Sequence, residues 1–221
     1  MLPLLLLAAT ATATPPAATL DQLEAALERL ADPAQVQRFE VTTIARHADT
    51  DGDDAHVDVV VAGICFDASG EQTNTVISHT RDGAPFEPED DKADKDGEKK
   101  EAGVSWTLPA GDDLPRYVYG ATTMQGSAAV ASFQPAPGQS KVEDLATGQL
   151  AWDPTDLRPL WISFEPVEKP FLVKSVNMRL VIGETDDKLH TTRILSSGVG
   201  GPPLMRKRFE MDMRFHDVVW R

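Results

Sequence analysis

The sequence predicts a single, mostly antiparallel β domain with one N-terminal helix. Apolar residues alternate at a period of two in several long runs. Only one segment carries the three-and-four spacing of an amphipathic helix. A length of 221 residues with 41% hydrophobic and 25% charged residues suits one β-rich core of fair size. The one cysteine, Cys65, excludes an internal disulfide, so packing must supply the stability. It lies in an apolar run at 57–66 with no basic neighbour in sequence to lower its pKa, and a buried packing role is expected for it.

Residues 1–18 read as a secretory signal. Leu-Pro-Leu-Leu-Leu-Leu-Ala-Ala forms an apolar stretch, Ala11-Thr12-Ala13 is a small-x-small cleavage pattern, and Pro15-Pro16 follows, although no Lys or Arg occurs before Arg29. The apolar run is shorter than the roughly 20 residues a membrane-spanning helix needs. No cysteine stands near the cleavage pattern to carry a lipid. A periplasmic or secreted protein, soluble once processed, is therefore expected, with one domain over 19–221.

The helix begins at Thr19, with Gln22 three residues on as a capping box. Leu20, Leu23, Ala26, Leu27 and Leu30 make one apolar stripe, and Asp32-Pro33 ends it. From Phe39 the period becomes two: Phe39, Val41, Thr43 and Ala45 alternate with more polar neighbours, and Val57, Val59 and Val61 return on a second strand. With Asp51-Gly52 as the two-residue turn, His47 falls directly opposite His56. A third strand is expected at 73–80. The stretch 87–101 has no apolar residue larger than Ala93, cannot offset its ordering entropy, and is expected to be a disordered, solvated loop. A further strand is expected near 104–108. The segment 117–133 suits strands bent at Gly120 and Gly126, and Pro135 to Gly138 closes it. In the last third, Val176, Met178, Leu180 and Ile182 share one face of a strand, as do Phe209, Met211, Met213 and Phe215. Between these strands, Ser196-Ser-Gly-Val-Gly-Gly-Pro-Pro203 is expected to form a flexible turn.

The formal charge of −14 and pI near 4.7 repel polyphosphates and anionic surfaces, so no nucleic-acid partner is expected. Gly-x-Ser-x-Gly, His-Glu-x-x-His and Cys-x-x-Cys are all absent from the sequence. His216-Asp217 are adjacent and would point to opposite faces of a strand. Cross-strand imidazoles at His47 and His56 offer two metal ligands where zinc needs three or four. Asp49, Asp51 and Asp53 open like a calcium loop, but Asp54 stands where that loop needs Gly and Val60 where it needs Glu. Neither an enzyme, a metal nor a cofactor is expected.

The segment Gly148-Gln-Leu-Ala-Trp152-Asp153-Pro154-Thr-Asp-Leu-Arg-Pro159, followed by long β runs at 173–182 and 206–219, resembles the C-terminal part of the LolA-like periplasmic lipoprotein and lipid carriers. The likeness spans roughly the last third of the chain. The resemblance implies a curved antiparallel sheet or half-barrel packed on the N-terminal helix. It also implies an apolar cavity for acyl chains of a lipid or lipoprotein, and a membrane-bound donor or acceptor protein. On this reading Val176, Met178, Leu180, Ile182, Phe209, Met211, Met213 and Phe215 line the cavity, and methionine suits variable ligands. Two other readings stay open: an envelope module that binds a protein and has a filled core, and an enzyme built on His47 and His56.

Overall fold

The structure is a computed structural model that describes residues 20–30, 35–49, 55–87, 111–139, 144–169, 172–202 and 206–221. The signal segment, the Asp51-Gly52 turn, the strand expected near 104–108 and all but the first residue of 87–101 lie outside them.

Helix α1 (Leu20–Leu27) is followed by a turn in which the Leu30 amide donates to the Leu27 carbonyl. The strands are β1 (Val36–Asp49), β2 (His56–Phe66), β3 (Gln72–Arg81), β4 (Ala84–Pro85), β5 (Tyr117–Tyr119) and β6 (Thr123–Gln125). Then come β7 (Ala128–Pro135), β8 (Ala146–Trp152), β9 (Pro159–Pro166), β10 (Val173–Thr185), β11 (Lys188–Gly200) and β12 (Lys207–Trp220). A 3-10 turn, Gly111–Arg116, leads into β5.

Among the described residues twelve strands form one antiparallel sheet in the order β4-β3-β2-β1-β12-β11-β10-β9-β8-β7-β5, with β6 also on β7. Consecutive strands are neighbours nearly throughout, as hairpin connections favour. The exceptions are β5, which pairs with β7, and the pairing of β1 with β12, which joins the chain's first hairpin to its last. Among the described residues the sheet is not closed into a barrel, for β4 and β5 stand at its two ends.

Register fixes which side chains share a face, because directly opposed residues point the same way. One row runs Ala131, Leu150, Ile162, Leu180, Ile194, Met213, Thr43, Val60 and His79 across nine strands. The next runs Phe133, Gly148, Phe164, Met178, Ser196, Met211, Ala45, Asp58 and Arg81. We call this the core face. Ala26 and Leu27 of α1 are buried in one cluster with Leu114, Phe133, Leu150, Ile162 and Phe164, and Leu30 packs partly buried beside them. Two glycines let aromatic rings cross this face. A side chain at Gly148 would meet the Phe133 ring at 2.9 Å and the Phe164 backbone at 2.8 Å. One at Gly198 would meet the Phe209 ring at 2.7 Å.

Two sequence expectations are corrected. Ser196 to Gly200 is no turn but the end of β11, paired with both β10 and β12. Its small residues meet the need for close approach under Phe209, and the turn comes at Gly201, whose φ is 102°. Cys65 is exposed rather than buried. In register it lies opposite Arg38 and Thr73, on the face away from the core. Val57, Val59 and Val61 point that way too, opposite Arg46, Ile44 and Thr42.

Candidate ligand-binding face

The core face has two unlike halves. The buried apolar cluster is drawn from α1, the 3-10 turn, β5, β7, β8, β9 and the residue preceding β8, with Met178 and Leu180 of β10 packed against it. It takes nothing from β1, β2, β3, β11 or β12. Yet the same rows continue through those strands with Ile194, Met211, Met213, Val60 and Ile64, all half-buried, and with the buried Val41. Phe39 stacks edge-on against Phe215 at 5.4 Å between ring centres and meets Phe66 at 6.2 Å. These apolar residues lie outside the cluster that fills the other half.

Of the eight residues predicted to line a cavity, the four on β10 lie nearest the core. Val176 and Ile182 are buried, while Met178 and Leu180 pack on the cluster's margin. The four on β12 are half-buried. The two sets are not adjacent, because β11 runs between them and contributes Ile194 and Ser196 to the same face. Phe215 and Phe39 border a cavity of about 690 Å3, and Phe209 borders another of about 330 Å3. Met211 adjoins a groove of about 430 Å3 that is lined mainly from the opposite face, by Arg46, Arg179, Arg193 and Asp212 among others. Sequence reasoning missed Ile194, Val60 and Ile64. The signal for the last two was present: once His47 opposes His56, a period of two puts Asp58, Val60, Ala62 and Ile64 on the face of Val41.

At the far corner of this face His47 and His56 do stand opposite one another, their rings stacked with centres 5.1 Å apart. Asp58, two residues along β2, turns to the same side. Its carboxylate accepts from Arg81 Nε at 2.8 Å and Nη2 at 3.1 Å, lies 3.3 Å from His79 Nε2, and lies 3.6 Å from His56 Nε2. Phe86 supports this group, with Arg81 3.9 Å over its ring and His79 edge-on at 4.9 Å. The hydrogen bond from Arg81 lowers the Asp58 pKa below the ordinary carboxylate value against the opposing effect of burial, and His79 adds to the lowering. Asp58 is thus held ionised by Arg81, and its Oδ2 faces the His56 imidazole. His216, by contrast, bonds Thr42 at 3.0 Å, and Asp217 sits at a bulge with φ of 49°.

The opposite face carries a charged cluster among apolar residues that include Ile44, Val59 and Leu195. Asp212 is only 6% exposed and accepts from Arg193 at 2.7 and 2.8 Å and from Arg214 at 2.7 and 3.1 Å. The Arg193 contact, with that of Arg214 behind it, holds its carboxyl down to about 2 despite burial. Arg179 lies 3.9 Å over the Trp161 ring nearby.

The Trp152-Asp153-Pro154 segment of the family resemblance ends β8 and turns into β9. There Asp153 accepts from the Thr155 amide at 2.8 Å, and its own amide donates to the Arg158 carbonyl at 2.8 Å. The chain matches no protein-family model and no curated protein. Among solved structures it is similar to the LolA superfamily protein NE2245 from Nitrosomonas europaea. That likeness has 13% identity and a TM-score of 0.41, over 93% of this chain and 94% of that one. It is also similar to a DUF1329 family protein from Desulfovibrio piger, at 11% identity and a TM-score of 0.37 over 91% and 88% of the two chains. A chain of the MucA/MucB complex of Pseudomonas aeruginosa follows at 10% identity and a TM-score of 0.26, over 88% and 94%. The first of these bears the family name that the Trp152 segment resembles. All three stand below a TM-score of 0.5.

Proposed function

We propose that this chain is an exported, non-catalytic carrier or binding protein that shelters an acyl chain against the core face of its sheet. One observation carries the reading: apolar rows of the core face run on past the buried cluster, which occupies only the half from β5 to β10, through Ile194, Met211, Met213, Val41 and Val60. An open sheet curved as a half-barrel would wrap the remaining half, β11, β12, β1 and β2, around a rod-like ligand. An acyl chain of about 14 carbons at about 0.8 kcal/mol per methylene offers about 11 kcal/mol on burial. That exceeds several kcal/mol of association cost. Met211 and Met213, unbranched and half-buried, adapt to chains of different length. Loading and release would fall to a membrane-bound donor or acceptor. The signal-like leader supports an extracytoplasmic site of action.

The test is native mass spectrometry of protein isolated from its own envelope, followed by organic extraction, together with titration of a fluorescent fatty acid. A stoichiometric acyl species and saturable probe binding are expected. A clean apo mass that stays unchanged with envelope lipids would sink the carrier and leave a second reading, a module that binds a protein. That second reading has its own support in β3. Val76 is 64% and Ile77 55% exposed there, on a strand whose outer side pairs with β4 only at Thr80 and Arg81.

A further inference from the structure

We propose that His47, His56 and Asp58 form a site for one divalent transition-metal ion of the zinc class. This inference is independent of the acyl-chain reading. Sequence alone gives two imidazoles, one short of the least that zinc needs. The sheet supplies the third ligand. His47 and His56 are direct cross-strand partners, and Asp58 follows His56 by two residues on the same face. One ligand atom from each lies within 4.8 Å of the other two. Around tetrahedral zinc, nitrogens at about 2.0 to 2.1 Å from the metal stand about 3.3 Å apart. Side-chain rotation of about 1.5 Å or less therefore closes the set, and no strand has to move.

The carboxylate is prepared for the role. A carboxylate has about four lone-pair positions. Arg81 takes two of them and His79 faces a third. That leaves one toward His56, at Oδ2. Arg81 and His79 thereby act as the outer partners that orient a metal-binding carboxylate and hold it ionised. A second observation points the same way. Asp49, two residues beyond His47 on the same face of β1, has a carboxylate oxygen buried with no hydrogen-bond partner among the described residues. A cation at this corner would give that oxygen a counter-charge. Beside the imidazoles, the cavity of about 330 Å3 bordered by Phe209 leaves room for solvent at the fourth coordination position.

The experiment uses the untagged full chain, stripped with a chelator, at about pH 7.5. Excess magnesium occupies surface carboxylates, which matters for a chain of net charge −14. Cobalt(II) is then titrated and displaced with zinc. We expect one equivalent of cobalt with the intense visible bands of a four-coordinate site, displaced by one equivalent of zinc. His47→Gln and His56→Gln should each weaken binding at least tenfold. His190→Gln should not, since that ring bonds Thr185 and the Thr191 carbonyl away from this corner. A pale six-coordinate spectrum, or binding indifferent to both substitutions, would mean adventitious carboxylate binding and overturn the site. If a variant fails to fold, histidine nitrogen NMR of the unaltered protein decides. Zinc-induced shifts confined to His47, His56 and their neighbours support the site, and their absence overturns it.

Discussion

The two halves of the core face are made of similar residues and differ in what lies on them. From β5 to β10, Leu150, Ile162 and Phe164 are buried in one cluster with Leu114, Leu145, Ala26 and Leu27. From β11 to β2, Ile194, Met213, Val60 and Phe39 continue the same rows half-buried. The difference teaches that an apolar sheet face does not by itself make a core; a second layer does. Stability should therefore reside in the first half and ligand binding in the second.

The largest expected effect tests that division directly. Phe164→Ala removes a buried ring from the cluster and should cost about 3 to 5 kcal/mol in urea unfolding. Met213→Ala, one of the half-buried residues on the other side, should cost about 1 kcal/mol or less while weakening fatty-acid probe binding. Equal costs at the two sites would mean that one core spans the whole sheet and would remove the basis for the carrier.

How far this contrast was legible in the sequence differs by element. The alternation in β10 and β12 and the opposition of His47 and His56 follow from a period of two, and the structure reproduces both. The helix stripe is legible too, with Ala26 and Leu27 buried. What stayed hidden depends on long-range pairing. That β12 closes on β1, or that β11 stands between the two predicted sets of cavity residues, is not written in any local pattern. β11 itself was obscured by Ser196, Gly198 and Gly200, which read as a turn until Phe209 is seen to need the space. Asp58 was overlooked among the valines of β2, although its spacing from His56 placed it. Cys65 misled because an apolar run in an edgeward strand can be apolar on both faces without being buried.

A smaller effect is expected on the opposite face, under the open half. Asp212 contributes stability because its carboxyl is held at about 2 in the fold and near 3.9 in the unfolded chain. A lowered carboxyl pKa stabilises above the unfolded value, so this contribution is complete above about pH 4 and fades as pH falls toward 2. The shift corresponds to about 2 to 3 kcal/mol at most. Arg193 and Arg214 are 41% and 48% exposed, so screening leaves about 1 kcal/mol. Asp212→Asn should lower stability near pH 7 by about 1 to 2 kcal/mol, the excess reflecting two guanidiniums left facing each other. It should also flatten the loss between pH 4 and 2. An unchanged acid limb in urea unfolding would show that other carboxylates dominate there.

The smallest effect lies at the free margin of the open half. Ile77→Lys on β3 places a charge on an edge strand that runs without a formal charge from Gln72 to Ser78. With the side chain already 55% exposed, folding stability should change by less than about 0.5 kcal/mol. Self-association measured by sedimentation should fall, because a lysine on an edge blocks strand-to-strand pairing. Fatty-acid probe binding should not change, since the rows that would hold the ligand lie on β1, β2, β11 and β12. A fall in stability well beyond that limit would mean that another part of the chain covers β3. The open half would then end before this strand, and the exposed margin that favours a protein-binding module would be gone.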